Sequence, residues 1–375
     1  MSEPIRLVVA GGGTAGHISP MLAIADAIRE QRPQSQILAL GTAQGLETKL
    51  VPDAGYRLEL IPKVPMPRSI SKDLLTFPFN FIKAVRQTTR ILRQDGAQGL
   101  IGVGGYVCTP AYIAAKRMGL PIFVHEANSV AGLANKIGAK HAKVVATTFA
   151  QTGLPNEQQI GMPMRSHVAR MDRTALRAEA REYFGLSDDK PVLLVTGGSS
   201  GALSLNRAIE GALSELAAAG IHTVHITGRG KQVMTQDGEP LQSAGYTQLE
   251  YVDRMDYAYA AADLMICRSG AGTVCELAVA QVPSVLVPLP IGNGEQKLNA
   301  RELVAAGGAL LVDDQDFTPE YLTGTVLPLL GDKDRLEQMS RAAGTQGRAN
   351  AAEVMARQVI EYFDTVDSVT GKEGK

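Results

Sequence analysis

The sequence predicts an α/β protein made of two Rossmann-like, doubly wound parallel-sheet domains. Three observations carry this. Short apolar runs alternate with helical stretches from one end of the chain to the other, the pattern of parallel strands joined by crossover helices. Two segments, "RLVVAGGGTAGHISPMLAIADAI" and "VLLVTGGSSGALSLNRAI", share the order strand, glycine-rich turn, helix, and each heads one half of the chain. The length, 375 residues, exceeds one core of ordinary size.

In chain order, the first-half strands are "RLVVA", "QILAL", "GLIGVG", "PIFVHE" and "KVVATT", with a helix over Pro20–Gln31. The second half follows with "PVLLVTGG", "HTVHITG", "QLEYV", "DLMICRSG" and "PSVLVPLP", and a helix over Ser204–Ala218. The join falls near Gly161–Val168, after the loop "TGLPNEQQ". The N-terminal domain is therefore 1–166 and the C-terminal domain 167–349. A last helix, about 350–364, is placed back on the N-terminal domain, and 365–375 reads as a polar, disordered tail. Ligands of such sheets gather at the carboxyl ends of the strands, so two domains facing each other by those ends would enclose one cleft.

Composition narrows the class. Hydrophobic residues make up 45% and charged ones 20%, an ordinary globular mixture. Cys108, Cys267 and Cys275 form no C-x-x-C pair, which suits a reducing cytoplasm better than a disulfide framework or zinc site. After "MSEPIR" the chain enters "LVVA", too short for a signal core, and no apolar run approaches the roughly 20 residues that span a bilayer. The charge is uneven: +8 up to His167 (18 Lys and Arg, 10 Asp and Glu) and −9 beyond it (19 against 28). A basic half joined to an acidic half points the first toward an anionic partner.

The loop "AGGGTAGHISP" contains Gly11, Gly13 and Gly16 in the G-x-G-x-x-G spacing of a dinucleotide site. That reading needs an acidic residue closing the second strand, to hold a ribose. After "QILAL" come Gly41, Thr42 and Ala43, and Glu47 stands only after a turn. A general phosphate site remains: glycines for close approach, and a helix start with unpaired N–H groups and a positive dipole end. His17, directly after the last glycine, carries an imidazole suited to taking a proton from an incoming hydroxyl.

With "GGGTAGHISP", "HEANSVAGLANK" and "RSGAGTVCEL" in this order, the chain resembles the MurG family of bacterial N-acetylglucosaminyltransferases over nearly its whole length. The resemblance implies the GT-B fold, two Rossmann-like domains facing across a cleft, with no cofactor and no required metal. It implies transfer of N-acetylglucosamine from UDP-GlcNAc to the 4-hydroxyl of undecaprenyl-pyrophosphoryl-MurNAc-pentapeptide (lipid I), giving lipid II for peptidoglycan. The donor is α-linked and the product β-linked, so one displacement with inversion suffices, and it needs a base and stabilisation of leaving UDP. His17 is the base candidate, and Glu126 a rival.

The resemblance also distributes the binding. Gly13, Tyr106 and Asn135 are acceptor contacts. Thr14, Ala15, Gly16 and Asn128 meet donor phosphates and sugar, and Arg165 at the join neutralises diphosphate charge. Ser199 contacts phosphate, Val252 offers its backbone to uracil, and Gly270, Ala271 and Thr273 begin a helix opposing the leaving diphosphate. Glu276 accepts from the ribose hydroxyls, and Gln296 and Asn299 from sugar hydroxyls. Ala15 departs from the family's glycine; if the position needs positive φ, the methyl costs roughly 1 kcal/mol or shifts the turn. Asp314-x-Asp316 and Asp332-x-Asp334 have metal-site spacing but read as helix-start and surface carboxylates.

Lipid I is membrane-anchored, so the enzyme must visit the surface. Lys63 to Arg93 holds seven basic residues and one acid. Lys83, Arg86, Arg90 and Arg93 fall on one helical stripe, opposite Phe81, Val85 and Leu92, and Leu74, Leu75, Phe77 and Phe79 precede them. The expectation is peripheral binding to the anionic cytoplasmic face of the bacterial inner membrane. Other cell-wall synthesis or division proteins are further partners in prospect, and nucleic acid is not. The competing readings are a soluble GT-B enzyme with a small-molecule acceptor, a non-catalytic nucleotide-sugar-binding regulator and, distantly, an NAD dehydrogenase.

Overall fold

The computed structural model describes residues 4–64, 72–186, 189–291 and 294–373, with the side chains of 72–75 and 367–373 outside the description. The chain divides into two units, Met1–Arg165 with Ala349–Lys375, and Ser166–Arg348.

Among the described residues, unit 1 carries a parallel sheet of β1 (Arg6–Ala10), β2 (Gln36–Gly41), β3 (Arg57–Leu60), β4 (Gly99–Gly102), β5 (Ile122–Glu126), β6 (Ala142–Thr147) and β7 (Gln158–Gln159), in the order 3-2-1-4-5-6-7. Its helices are α1 (Ala15–Gln31), α2 (Glu47–Asp53), α3 (Lys72–Asp95), α4 (Cys108–Arg117) and α5 (Leu133–Ala139). The central strands β4 and β5 are buried along their whole length, which is why they read as unbroken apolar runs. The edge strand β3, "RLEL", escapes sequence reading because it pairs only with β2 and stays largely exposed.

The chain returns to unit 1 as a helix, Ala351–Glu373. Its Met355, Ala356, Val359 and Phe363 join Leu7, Ile24, Ile28 and Phe123 in one apolar cluster. Arg32 Nη1 pairs with Asp364 Oδ1 at 2.8 Å, and Gln31 Nε2 donates to the Glu353 carbonyl at 3.0 Å. The helix runs through most of the stretch read above as a disordered tail. Once its first half is anchored, each added residue gains a backbone bond without a new nucleation cost, and Thr365 Oγ1 also donates to the Glu361 carbonyl at 2.8 Å.

Unit 2 pairs β8 (Val192–Thr196), β9 (His222–Ile226), β10 (Tyr246–Leu249), β11 (Leu264–Cys267), β12 (Ser284–Leu286) and β13 (Ala309–Leu311) in the order 10-9-8-11-12-13, all parallel. The predicted helix Ser204–Ala218 is two helices, Leu203–Glu210 and Leu213–Ala218. Gly211 closes the first. A β-carbon there would stand 2.7 Å from Pro319 Cγ, so close packing demands a glycine, and glycine is a poor helix former.

Each sheet reverses its winding beside its first strand, between β1 and β4 and between β8 and β11. A crevice opens at the carboxyl ends of strands where the order reverses. The turns and helix starts after these four strands hold most of the candidate catalytic and substrate-binding residues.

Candidate functional site

The turn after β1 carries the first cluster. Helix α1 starts at Ala15, ahead of the predicted Pro20, which lies inside it and forgoes only the bond to the Gly16 carbonyl. Thr14, extended at φ −133°, is the N-cap residue, so Ala15, Gly16 and His17 form the first turn. The left-handed position is Gly13, with φ 91°, and Ala15 is helical. The feared cost of the Ala15 methyl is therefore absent; at a helical position alanine is favoured over glycine by about 1 kcal/mol.

His17 is half-buried, and its Nδ1 lies 3.2 Å from Thr14 Oγ1. Its ring rests on the turn after β4. A β-carbon on Gly104 would stand 3.2 Å from His17 Cδ2 and 3.4 Å from Asn135 Nδ2, and one on Gly105 would stand 2.8 Å from the Gly12 carbonyl oxygen. Both glycines have positive φ, 99° and 87°. The two turns thus touch backbone to backbone, with the imidazole seated on Gly104. Tyr106, 42% exposed, follows on the same turn with Lys63 Nζ 5.9 Å from its ring centre.

Glu126, at the end of β5, is buried, and its carboxylate is engaged by its own loop. Oε1 accepts from the Asn128 N–H at 2.9 Å; Oε2 accepts from the Gly132 N–H and Asn135 Nδ2, each at 2.9 Å. Burial pushes its carboxyl above the usual range against the pull of these donors. Asn135, also buried, is held in turn by Tyr112 Oη, 2.8 Å from its Oδ1. Both side chains brace the "HEANSVAG" loop from inside, whereas Asn128 is half-exposed on it. Among the other histidines, burial pushes His125 and His225 down to about 4, leaving them neutral and enclosed.

The second cluster is on unit 2. After β8, Ser199 is exposed on a turn shaped by Gly198 (φ 81°) and Gly201 (φ 64°), and Lys231 Nζ donates to the Ser200 carbonyl at 2.7 Å. After β11, Gly270 caps the helix Ala271–Ala280. Thr273 and Glu276 are half-buried on its first turns. Tyr259 Oη, fully buried, donates to Glu276 Oε2 at 2.5 Å. Arg268 anchors the turn from below: it pairs with Asp314 Oδ1 at 2.6 Å and donates to the Val287 and Pro288 carbonyls and to Ser204 Oγ. Asp314 is thus an internal ion-pair partner rather than a surface carboxylate. Asp332 is a helix cap, accepting from the Arg335 N–H at 2.9 Å. Among the described residues, no group of His, Cys, Asp and Glu could hold a metal ion.

Val252 is buried just after β10, and Arg165, the last residue of unit 1's first segment, is exposed. On the helix Glu295–Asn299, half-buried Gln296 accepts through Oε1 from the Leu289 N–H at 2.9 Å, and Asn299, 1% exposed, lies inward. Glu47, Tyr259, Lys231 and Arg268 escaped assignment in the sequence. Glu47 and Tyr259 bond to Gly13 and Glu276, Lys231 and Arg268 donate to backbone carbonyls of unit 2 turns, and no local motif marks such partners.

Helix α3 runs unbroken through Pro78. Val85 and Leu92 pack inward, while Lys83, Arg86, Arg90 and Arg93 are exposed. Phe79 is 77% exposed and Ile82 46%, next to the basic stripe; Phe77 stacks on Phe81 with ring centres 5.5 Å apart. Leu74 and Leu75 have side chains outside the described residues. Among the described residues no helix is long and apolar enough to cross a membrane.

Residues 7–147 match the glycosyltransferase family 28 N-terminal domain and residues 192–355 the C-terminal domain of the same family. The chain is 55% identical over 360 residues to the UDP-N-acetylglucosamine--N-acetylmuramyl-(pentapeptide) pyrophosphoryl-undecaprenol N-acetylglucosamine transferase of Paenarthrobacter aurescens, covering 96% of this chain and 97% of the relative. It is 51% identical over 357 residues to the protein of that name from Streptomyces coelicolor, covering 95% and 98%. Among solved structures it resembles Acinetobacter baumannii MurG, with a TM-score of 0.77 and 30% identity over 96% of this chain and 100% of that one.

Proposed function

This chain belongs to glycosyltransferase family 28, and from that premise we propose how its residues divide the work of one sugar transfer. It is a UDP-GlcNAc-dependent hexosyltransferase with the two-domain GT-B fold, and it moves N-acetylglucosamine onto lipid I to give lipid II. His17 is the general base. The acceptor 4-hydroxyl attacks C1 of the donor sugar on the face opposite UDP, its proton passes to the imidazole, and the C1–O bond breaks with its electron pair leaving on UDP. The placement of His17 carries this reading: a half-exposed imidazole on the first turn of α1, at the reversal of the sheet.

Glu126 braces its loop rather than taking the proton. Gly13 and Tyr106 meet the acceptor, with Asn135 supporting them from beneath, and Thr14, Ala15, Gly16 and Asn128 reach the donor phosphates and sugar. On unit 2, Ser199 and the start of the helix Ala271–Ala280 face the donor diphosphate, Glu276 takes the ribose hydroxyls, and the backbone at Val252 takes the base. Arg165 adds positive charge. Gln296 reaches the sugar, and Asn299 acts by holding that helix.

Purified protein is expected to release UDP from UDP-GlcNAc only when a lipid I analogue is added. Equal release without acceptor, which would be transfer to water, overturns the reading, and so does binding with no release, which favours a small-molecule transferase or a regulator.

The enzyme reaches its lipid-linked acceptor by resting α3 on the cytoplasmic face of the membrane. Phe79 and Ile82 insert, and the four exposed cations face anionic headgroups, each contributing about 1 kcal/mol at most. Phe79→Ser with Ile82→Ser is expected to lower partitioning to anionic vesicles at least ~10-fold in flotation, since each insertion is worth roughly 1.5–3 kcal/mol. Turnover of a short-chain soluble acceptor should not change. Undiminished flotation of the double variant removes α3 from the membrane face.

A further inference from the structure

Glu47 opens α2, yet its side chain is wholly buried and reaches into the turn after β1. Oε2 accepts from the Gly13 N–H at 3.0 Å. Oε1 accepts from the Thr42 N–H at 2.8 Å and from Thr42 Oγ1 at 2.9 Å. Glycines in the turn after β1, at the end of β2 and in the turn after it clear its path: β-carbons on Gly12, Gly41 and Gly45 would stand 2.7, 2.5 and 1.8 Å from Oε1, Cγ and Oε2. None of the three positions can carry a side chain while Glu47 stays where it is.

A buried carboxylate is costly unless donors meet it. Burial alone would drive this one toward its neutral form, but the Gly13 and Thr42 amides outweigh that and hold the carboxyl below its usual range. In other glycine-rich turns after a first strand, such amides face the phosphate of a ligand. Here the Gly13 amide is committed to the protein's own anion. The helix-opening amides of Ala15 and Gly16 are left for an outside phosphate.

We propose that Glu47 is a positioning residue for the transfer: an internal anion, in the place a ligand phosphate takes in other glycine-rich turns, that ties the end of β2 to the turn after β1 and fixes Gly13–His17 in its working pose. It touches no substrate, and it rests on the reading of His17 as base only for what the fixed turn presents. The glycine spacing that mimics a dinucleotide fingerprint serves, in part, to house this carboxylate.

Glu47→Gln keeps the shape but turns an NH2 group against one of the amide donors. Its kcat is expected to fall ~10- to 100-fold, with the KM for UDP-GlcNAc within about twofold, because the contacts proposed for the donor's uracil, ribose and sugar hydroxyls lie on the other unit. In a His17→Ala background the same change should cost at most about threefold, since coupled residues are not additive. Gly45→Ala, which displaces the carboxylate without altering it, should reproduce the loss and carries the test if Glu47→Gln does not fold. Wild-type kcat in these variants, or equal losses with and without His17, overturns the proposal. If His17→Ala alone keeps full turnover, the base reading falls. Glu47 is then decided by the single variants: a kcat loss with unmoved donor KM upholds it as the brace of the turn, and wild-type kcat overturns it.

Discussion

His17→Ala is expected to lower kcat by about 10²- to 10⁴-fold while the KM for UDP-GlcNAc moves by less than about threefold, the signature of a lost general base. The argument is geometric. The imidazole is half-buried on the first turn of α1, with Nδ1 near Thr14 Oγ1 and the ring edge against Gly104. That seat fixes the ring. Removing it leaves the backbone turn intact, because the turn is held by Glu47 and by the contact of Gly105 with Gly12 rather than by the imidazole. The loss should therefore appear in steady-state turnover with an unchanged thermal transition. Glu126→Gln makes the contrast. It places an NH2 group against the Asn128 N–H, or against the Gly132 N–H and Asn135 Nδ2, and should lower thermal stability along with activity. A His17→Ala enzyme that turns over within about threefold of the parent would move the proton to another group.

Much of this architecture is legible in the sequence because the signals are local. The buried parallel strands are continuous apolar runs, and the glycine turns announce where strands hand over to helices. Most positions with left-handed backbone, Gly13 and Gly104 among them, are glycines. The rest depends on partners distant in the chain. The start of α1 at Ala15 is hidden because Pro20 looks like a first helical residue, whereas the true cap is Thr14. The break at Gly211 is dictated by Pro319, more than a hundred residues away. Glu47 is conspicuous as the acid that fails to close β2. Only the fold shows that it turns inward to the glycine-rich turn after β1. Asn135 and Glu126 look like cleft-facing polar residues in "HEANSVAGLANK", and their mutual hydrogen bond turns both inward. Periodicity assigns a face, but it does not say whether a polar side chain on that face meets solvent, substrate or another side chain.

The strongest effect on donor binding should come from Glu276→Ala. A carboxylate accepting from two ribose hydroxyls makes charge-assisted bonds worth roughly 1.5–3 kcal/mol each, so the Kd for UDP-GlcNAc should rise by at least ~10-fold and kcat should stay within a few-fold. The fold adds a complication that can be separated. Tyr259 Oη is fully buried and donates to Glu276 Oε2 at 2.5 Å, and burial together with this carboxylate pushes the phenol well above its usual range. Truncating Glu276 alone strands that hydroxyl, at a cost of about 1–3 kcal/mol in stability. Tyr259→Phe with Glu276→Ala removes both partners and should recover most of the lost stability without recovering affinity. Tyr259→Phe alone leaves the carboxylate in place but less firmly aimed, and should weaken binding by about fivefold, one hydrogen bond's worth. Calorimetry on the three variants, with UDP and with 2′-deoxy-UDP, reads the two effects apart. The parent should prefer UDP, and Glu276→Ala should lose the preference. Equal affinity of the parent for both nucleotides would take the 2′-hydroxyl away from Glu276, and a Glu276→Ala enzyme binding UDP as tightly as the parent would take away the ribose altogether.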